Sequence, residues 1–230
     1  MTNTPQQLTL GISLGSGLDF ESFVSVENDD VVQAVRLAAQ RAQFVFVWGD
    51  AGSGRTHLLH AACREAAEAG RRVALLPLQE AVQWRAEAIE GWDALDLVAV
   101  DDVERIAGNA DWERALFSLY NGLRDTGASL LVTASRPPAG LDIGLPDLAS
   151  RFGAMLVYQL HSLDDNGRLA ALTCKARARG LELPEETGRY LLARVSRDMH
   201  YLVALLNRLD DASLAHQRRL TIPFVRDLLD

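Results

Sequence analysis

Apolar residues occur in short runs that alternate with longer amphipathic stretches as far as about residue 160 of this chain. The runs contain few polar interruptions, so both faces of each predicted strand are expected to be buried. Such strands separated by helices are typical of a mostly parallel α/β sheet that is covered on both sides. The five predicted strands are residues 44–48, 72–77, 95–102, 129–135 and 154–160.

Helical periodicity fills the intervals between these strands and continues alone after residue 161. Apolar residues then recur every three to four positions, as on one face of a helix, and no further strand pattern is present. The stretches with this spacing are residues 56–70, 79–91, 111–127, 164–180, 184–197 and 198–216.

The change near residue 161 predicts how the chain is organised. A length of 230 residues is enough for an α/β core with a small additional unit. We predict an extended N-terminal tail (1–17), an α/β core with a mostly parallel five-stranded sheet (18–160) and an all-helical lid (161–230).

A glycine-rich segment, GDAGSGRTHLL at residues 49–59, follows the first predicted strand and opens into a helix. Backbone N–H groups and a helix N-terminus converge at such a junction, which favours an anion. The pattern matches a phosphate-binding loop except at Arg55, where lysine is expected. A glycine-rich turn without a ligand is the alternative. The predicted contacts are Gly49, Asp50, Ala51, Gly52, Ser53, Gly54, Arg55, Thr56 and His57.

Two carboxylates extend this candidate site. Asp101 and Asp102 end the third predicted strand. In nucleotide-binding folds of this kind the first carboxylate supports Mg²⁺, together with a hydroxyl such as that of Thr56, and the second orients the attacking water. Arg55 keeps a positive charge for phosphate but is larger and planar, so binding can survive while the geometry of γ-phosphate cleavage suffers.

Charge and composition exclude several classes of protein. The net charge of −8 argues against strong direct binding to DNA, although HQRRL (216–220) is a small basic stretch. No apolar run is long enough for a membrane span, and the N-terminus lacks a signal-peptide pattern, which predicts a cytoplasmic protein. Cys63 and Cys174 lie in apolar helical patterns and are predicted to be buried. His57 and His60 lack a third metal ligand.

The segments GDAGSGRTHLLHA, LVAVDDVERIAG and LPDLASRF together resemble the AAA+ ATPase domain of the bacterial replication initiator DnaA. The resemblance runs from about residue 18 to 230. The printed sequence stops after the lid, where an initiator would continue into a helix-turn-helix domain, which favours the Hda-like regulators of DnaA. The resemblance implies bound ADP, with ATP and Mg²⁺ as further ligands, and DnaA as partner. It also allows a homo-oligomer.

The resemblance also implies two partner-directed sites. Arg151, in LASRF, matches the arginine finger that stimulates ATP hydrolysis on DnaA and so prevents re-initiation of replication. Without the resemblance, Arg151 would be read as capping or pairing at a helix end. Near the N-terminus QLTLGI is similar to the motif that docks on the sliding clamp, the β subunit of DNA polymerase III, and the predicted contacts are Gln7, Leu8, Leu10 and Ile12.

Three departures from the initiator pattern bear on catalysis. Besides Arg55, Ser135 stands where an aspartate would sense the γ-phosphate, and His200 stands where the lid supplies an arginine to the nucleotide. Arg197, one turn earlier, is a candidate substitute for that arginine. The resemblance therefore implies a nucleotide-holding activator with little ATP hydrolysis of its own.

Two other functions remain open. A self-hydrolysing AAA+ ATPase, such as a helicase loader or a truncated initiator, would use Thr56, Asp101 and Asp102 for its own turnover. A purely steric adaptor would need Gln7 but not Arg151.

Overall fold

A computed structural model of the protein describes residues 18–216 and 219–229, with the side chains of all but His200 and residues 214–216. All five strands lie between Phe44 and Gln159, and the elements described from Asp165 onward are helices. Within the described residues no helix is long and apolar enough to cross a membrane.

A five-stranded parallel sheet in the order β2-β3-β4-β1-β5 confirms the predicted fold class. The central strands β3 and β4 are buried at every position, which explains their uninterrupted apolar sequence. Register is set by pairs such as Val45 with Leu131 and Val98 with Leu130. The strands are β1 (Phe44–Trp48), β2 (Val73–Pro77), β3 (Leu97–Asp101), β4 (Ser129–Ala134) and β5 (Leu156–Gln159).

Helices cover both faces of this sheet, so two hydrophobic clusters form. On one face α1 (Asp29–Gln40) and α2 (Arg55–Glu68) pack against β1, β3 and β4. On the other face lie α4 (Ala110–Thr126) and α5 (Pro146–Gly153), which follow the short α3 (Leu78–Ala81) in the chain. The helices α1 and α5 add to the elements predicted from the sequence.

The predicted helix at 79–91 is wrong. The chain forms only α3, then an extended Arg85 and a short 3₁₀ turn, Ala86–Ile89. An uninterrupted helix with 3.6 residues per turn would direct Ala86 about 140° away from Ala81. The break allows Ala81, Ala86 and Ile89 to enter the same buried cluster.

Four helices form the C-terminal region around their own hydrophobic cluster, which includes Leu172, Leu191, Leu206 and Phe224. Three of them were predicted from the sequence, and α9 is an addition. The helices are α6 (Asp165–Ala178), α7 (Glu185–Arg194), α8 (Met199–His216) and α9 (Ile222–Leu229).

The two cysteines differ in burial, which corrects the expectation that both are buried. Cys63 is buried in α2, and its burial raises the pKa of the thiol to about 12. Cys174 is a half-buried free thiol. Leu172 lies on the buried face of α6, and a residue two positions later falls about 200° around the helix.

Candidate functional site

The glycine-rich loop between β1 and α2 is held where larger residues do not fit. A Cβ on Gly49 would clash with the backbone carbonyl of Leu160, just after β5. Gly54 has a φ of +106°, and a Cβ there would lie 2.7 Å from the ring of Phe23. These close approaches hold the loop between the sheet and the N-terminal segment, so its backbone shape is fixed by packing.

The N-terminus of α2 presents unused hydrogen-bonding capacity to this loop. The helix has no side-chain cap and no acidic residue in its first turn. The hydroxyl of Ser53 is buried and has no hydrogen-bond partner among the described residues. Free N–H groups, the positive end of a helix dipole and an orphaned hydroxyl together fit a phosphate group.

The carboxylate of Asp101 is oriented by two threonines. The Thr56 hydroxyl donates to Asp101 Oδ2 over 2.7 Å, and the Thr133 hydroxyl donates to Oδ1. Thr133 in turn accepts from the backbone N–H of Asp102 over 3.1 Å. Thr56 and Asp101 thus lie side by side, as residues that hold Mg²⁺ beside a phosphate would. Among the described residues there is no group of three or more His, Cys, Asp or Glu side chains that could hold a metal ion.

Arg55 is bound by carboxylates at the end of the sheet. Its Nη2 lies 3.0 Å from Asp102 Oδ1 and its Nη1 lies 3.9 Å from Glu104 Oε1. Glu104 Oε1 also accepts from the backbone N–H of Ser135 over 3.0 Å. Burial, reinforced by the neighbouring Asp101, raises the pKa of Asp102 above its ordinary value. We call Arg55, Asp102 and Glu104 the charge cluster.

A cleft of about 1460 Å³ opens beside these groups. It is bounded by the loop, by the ends of β3 and β4, and by helices α6 and α8. That is ample room for a nucleotide. From the N-terminal segment Phe23 and Val24 line the cleft, whereas Phe20 is buried in the core.

Comparison with known proteins decides the family. Residues 14–159 match the family model of the bacterial DnaA ATPase domain. The chain belongs to the bacterial DnaA ATPase family. Residues 165–229 match the model of the lid domain of Hda, so this family member is Hda-like. A DnaA-type AAA+ core with an Hda lid places the protein among those connected with replication initiation.

Solved structures share the AAA+ fold. Domain III of DnaA from Thermotoga maritima is 24% identical, with 94% of this chain and 96% of that chain covered and a TM-score of 0.81. AMPPCP-bound DnaA from Aquifex aeolicus is 24% identical, with 86% and 66% covered and a TM-score of 0.71. The RuvB Holliday junction branch migration motor of Thermotoga maritima is 18% identical, with 89% and 66% covered and a TM-score of 0.64. At these identities the likeness shows the fold alone.

The lid approaches the DnaA-type loop at the start of α8. A Cβ on Gly52 would lie 3.4 Å from the backbone nitrogen of Met199. Arg197, the candidate substitute for the missing lid arginine, instead pairs with Asp165 of the lid over 3.2 Å and is 63% exposed. His200 belongs to α8, and its side chain is outside the described part of the structure. The nucleotide role of His200 stays a prediction.

His57 is held by the N-terminal segment. Its Nε2 lies 2.8 Å from the backbone oxygen of Asp19, and its ring meets that of Phe23 edge-on at 5.2 Å. Burial lowers the pKa of His57 to about 4, so the ring is neutral at pH 7. His57 lies on the wall of the cleft, where its predicted contact with a nucleotide stays a prediction.

Arg151 lies in the last turn of α5, which is anchored by the buried Leu148 and Phe152. Its guanidinium lies over the ring of Tyr120 of α4, with 5.6 Å from the guanidinium carbon to the ring centroid. Arg151 is half-buried and is not among the described residues that line the cleft. Its guanidinium is therefore held away from the protein's own candidate nucleotide site.

Some of the remaining predicted site residues lie outside the described part of the chain, and others lie in the glycine-rich loop. Gln7, Leu8, Leu10 and Ile12 lie outside the described residues. Asp50 and Ala51 are exposed in the loop, next to the cleft. Sequence reasoning missed Glu104 and Thr133. The signal for them is position, since Glu104 follows β3 and Thr133 is the penultimate residue of β4.

Proposed function

We propose that this protein holds ADP between a core at residues 18–160 and a lid at 161–230, and acts on DnaA. Docked on the DNA-loaded sliding clamp through the tail at 1–17, it stimulates ATP hydrolysis by DnaA with Arg151 as an arginine finger. The stimulation lowers the amount of ATP-bound DnaA and prevents re-initiation. One observation carries this proposal: a DnaA-type ATPase site in which Arg55 is paired with Asp102.

Nucleotide binding is supported by the way the loop fits a phosphate chain. The backbone around Gly54, the orphaned hydroxyl of Ser53 and the uncapped end of α2 would bind the phosphates. Thr56 and Asp101 would hold Mg²⁺, which would neutralise phosphate charge. Related DnaA structures contain AMPPCP, an ATP analogue.

Weak hydrolysis by the protein itself follows from the pairing of Arg55. A carboxylate that orients water must be free to accept its proton, but Asp102 is already ion-paired with Arg55 over 3.0 Å. Ser135 supplies no charged group at the end of β4, and its backbone N–H is bound by Glu104. The DnaA-type core therefore binds a nucleotide as a structural ligand and hydrolyses ATP weakly.

Action in trans is supported by the position of Arg151. A finger must present its guanidinium to another subunit's γ-phosphate, where it stabilises charge on the transferring group. Arg151 lies outside the protein's own cleft, at the end of a short helix that is anchored in the core. In other systems such a finger accelerates hydrolysis by about 10³- to 10⁵-fold.

The experiment that tests the function is phosphate release by ATP-loaded DnaA, with this protein and the DNA-loaded clamp added singly and together. Strong release is expected only when all components are present. Gln7→Ala is expected to reduce that release, while Gln6→Ala, the same change one residue earlier, is the matched control. Equal release with and without this protein would reject the proposed function.

A self-hydrolysing ATPase is the second candidate because Thr56, Asp101 and Asp102 are all retained. It predicts steady phosphate release by the isolated protein that is lost in Asp102→Asn. The activator proposal predicts that isolated protein releases little phosphate with either residue at position 102.

A further inference from the structure

We infer that the charge cluster makes the cleft selective for a nucleoside diphosphate, because it occupies the side on which a third phosphate would lie. The inference rests on the proposed nucleotide function and adds to it the residues that set the specificity. Glu104 is the residue that the sequence pattern does not mark and on which the inference depends most.

The position of a third phosphate follows from the order of the elements. The loop and the N-terminus of α2 can hold the first phosphates of a nucleotide. In this class of fold the terminal phosphate points onward to the strand ends that carry the water-orienting carboxylate and the γ-phosphate sensor. Here those strand ends carry Asp102 and Ser135, and the charge cluster lies between them.

Two donors that would face a third phosphate are already engaged. Arg55, whose side chain is 12% exposed, points Nη2 at Asp102 over 3.0 Å. The backbone N–H of Ser135 donates to Glu104 over 3.0 Å. A third phosphate could use these donors only by displacing both carboxylates, whereas a diphosphate leaves them in place.

The negative charge of the site also disfavours a third phosphate. Asp101, Asp102 and Glu104 bring three carboxylates to one guanidinium, that of Arg55, and Arg105 is an exposed cation beside them. The side chains of Asp102 and Glu104 are only 19% and 25% exposed, so water screens them incompletely. A further phosphate group would add negative charge to a site that is already acidic.

Within the described part of the chain, some hydrogen-bonding atoms of the charge cluster are unpaired. A single substitution in the cluster is therefore expected to change its affinity for a further phosphate. Arg55 Nη1 and Glu104 Oε2 are buried without hydrogen-bond partners among the described residues. Replacing Glu104 by glutamine would keep an oxygen for the Ser135 N–H and remove the negative charge that lies 3.9 Å from Nη1 of Arg55. A phosphate oxygen is the acceptor that a triphosphate would supply.

The test compares the dissociation constants of ADP and ATP, each with Mg²⁺, by titration calorimetry on the full-length protein. Wild type is expected to prefer ADP. Glu104→Gln is expected to lower the ATP-to-ADP ratio of dissociation constants roughly tenfold, as removal of one partly screened charge interaction would. Glu80→Gln, an exposed carboxylate on the wall of the same cleft, is the matched control and should leave the ratio unchanged.

Each outcome separates the inference from the proposed function. If wild type binds neither nucleotide, both fail. If wild type binds ADP but the ratio is the same in Glu104→Gln and in Asp102→Asn, the inference is wrong and the activator function stands. Asp102→Asn is the second variant, needed if Glu104→Gln does not fold, and it should also lower the ratio because it releases Arg55.

Discussion

At the scale of single residues, our expectation of weak ATP hydrolysis depends on the contacts of Arg55 more than on the replacement of lysine by arginine. A guanidinium in the place of lysine could still bind phosphate, and the sequence alone gives no reason why it should not. The structure places it against Asp102 at 3.0 Å, with Glu104 next to it. The arginine in the loop is therefore paired with the residue that would orient water, and this pairing is the reason we expect the protein to hydrolyse ATP weakly.

His57 makes the stability of the protein depend on pH. Burial lowers its pKa to about 4 from an ordinary 6.5, although the bond to Asp19 favours the charged ring. The unfolded chain therefore binds more protons than the folded one between these values, so stability falls as pH is lowered from about 6.5 to 4. We expect a loss on the order of 1–3 kcal/mol over that window.

Chemical denaturation between pH 4 and 7 measures this loss. His57→Gln should flatten the dependence, because an amide does not titrate in this range. His161→Gln changes an exposed histidine and is the control, which should keep the slope of wild type. An unchanged slope in His57→Gln would show that other groups cause the pH dependence.

At the scale of elements, α5 presents its candidate finger through a contact with α4. Tyr120 is 4% exposed, its ring meets that of Phe44 at 4.8 Å, and the Arg151 guanidinium lies 5.6 Å from its centroid. Such a cation–π contact is worth about 0.5–2 kcal/mol. We regard Tyr120 as a positioning residue for Arg151.

Tyr120→Leu should reduce stimulation of DnaA roughly two- to tenfold, because the finger loses its platform. Tyr120→Phe keeps the ring and should retain the activity. The affinity for ADP separates positioning from a general defect, since it should be unchanged in both variants. Equal stimulation by the leucine and phenylalanine variants would contradict the positioning role.

The helices and strands also show which parts of the fold can be predicted from the sequence. All five strands were predicted because each is an apolar run, and β3 and β4 are buried on both faces as expected. The expected burial of every strand is wrong for β5 at the edge of the sheet, where Leu156 is 45% and Val157 is 40% exposed. The break after α3 could not be predicted, because it depends on where Ala86 and Ile89 find the buried cluster in three dimensions. The charge cluster escaped prediction for the same reason, since Arg55 and Glu104 meet only once the sheet orders their strands.

At the scale of the whole molecule, the cleft is lined by two separately packed regions, so a nucleotide bound there would act as a structural ligand. The helical region has its own hydrophobic cluster, and it approaches the loop where Gly52 faces Met199. A ligand that contacts both regions would set their relative position and stabilise the folded state as a whole.

ADP at about 1,000 times its dissociation constant should stabilise the protein by on the order of 4 kcal/mol. Differential scanning calorimetry with increasing ADP measures this as a rise in melting temperature. AMP lacks the second phosphate that the loop would hold and should give a smaller rise at the same concentration. If ADP produces no rise, the cleft does not hold it as proposed.

We propose above that Arg151 acts on ATP held by DnaA. The most direct measurement is single-turnover release of labelled phosphate from ATP preloaded on DnaA, with the DNA-loaded clamp and this protein in excess. Arg151→Ala should lower the rate to about that of DnaA alone, while Arg114→Ala, an exposed arginine of α4, should match wild type. If Arg151→Ala releases phosphate as fast as wild type, Arg151 is not the finger and the account is wrong at its centre.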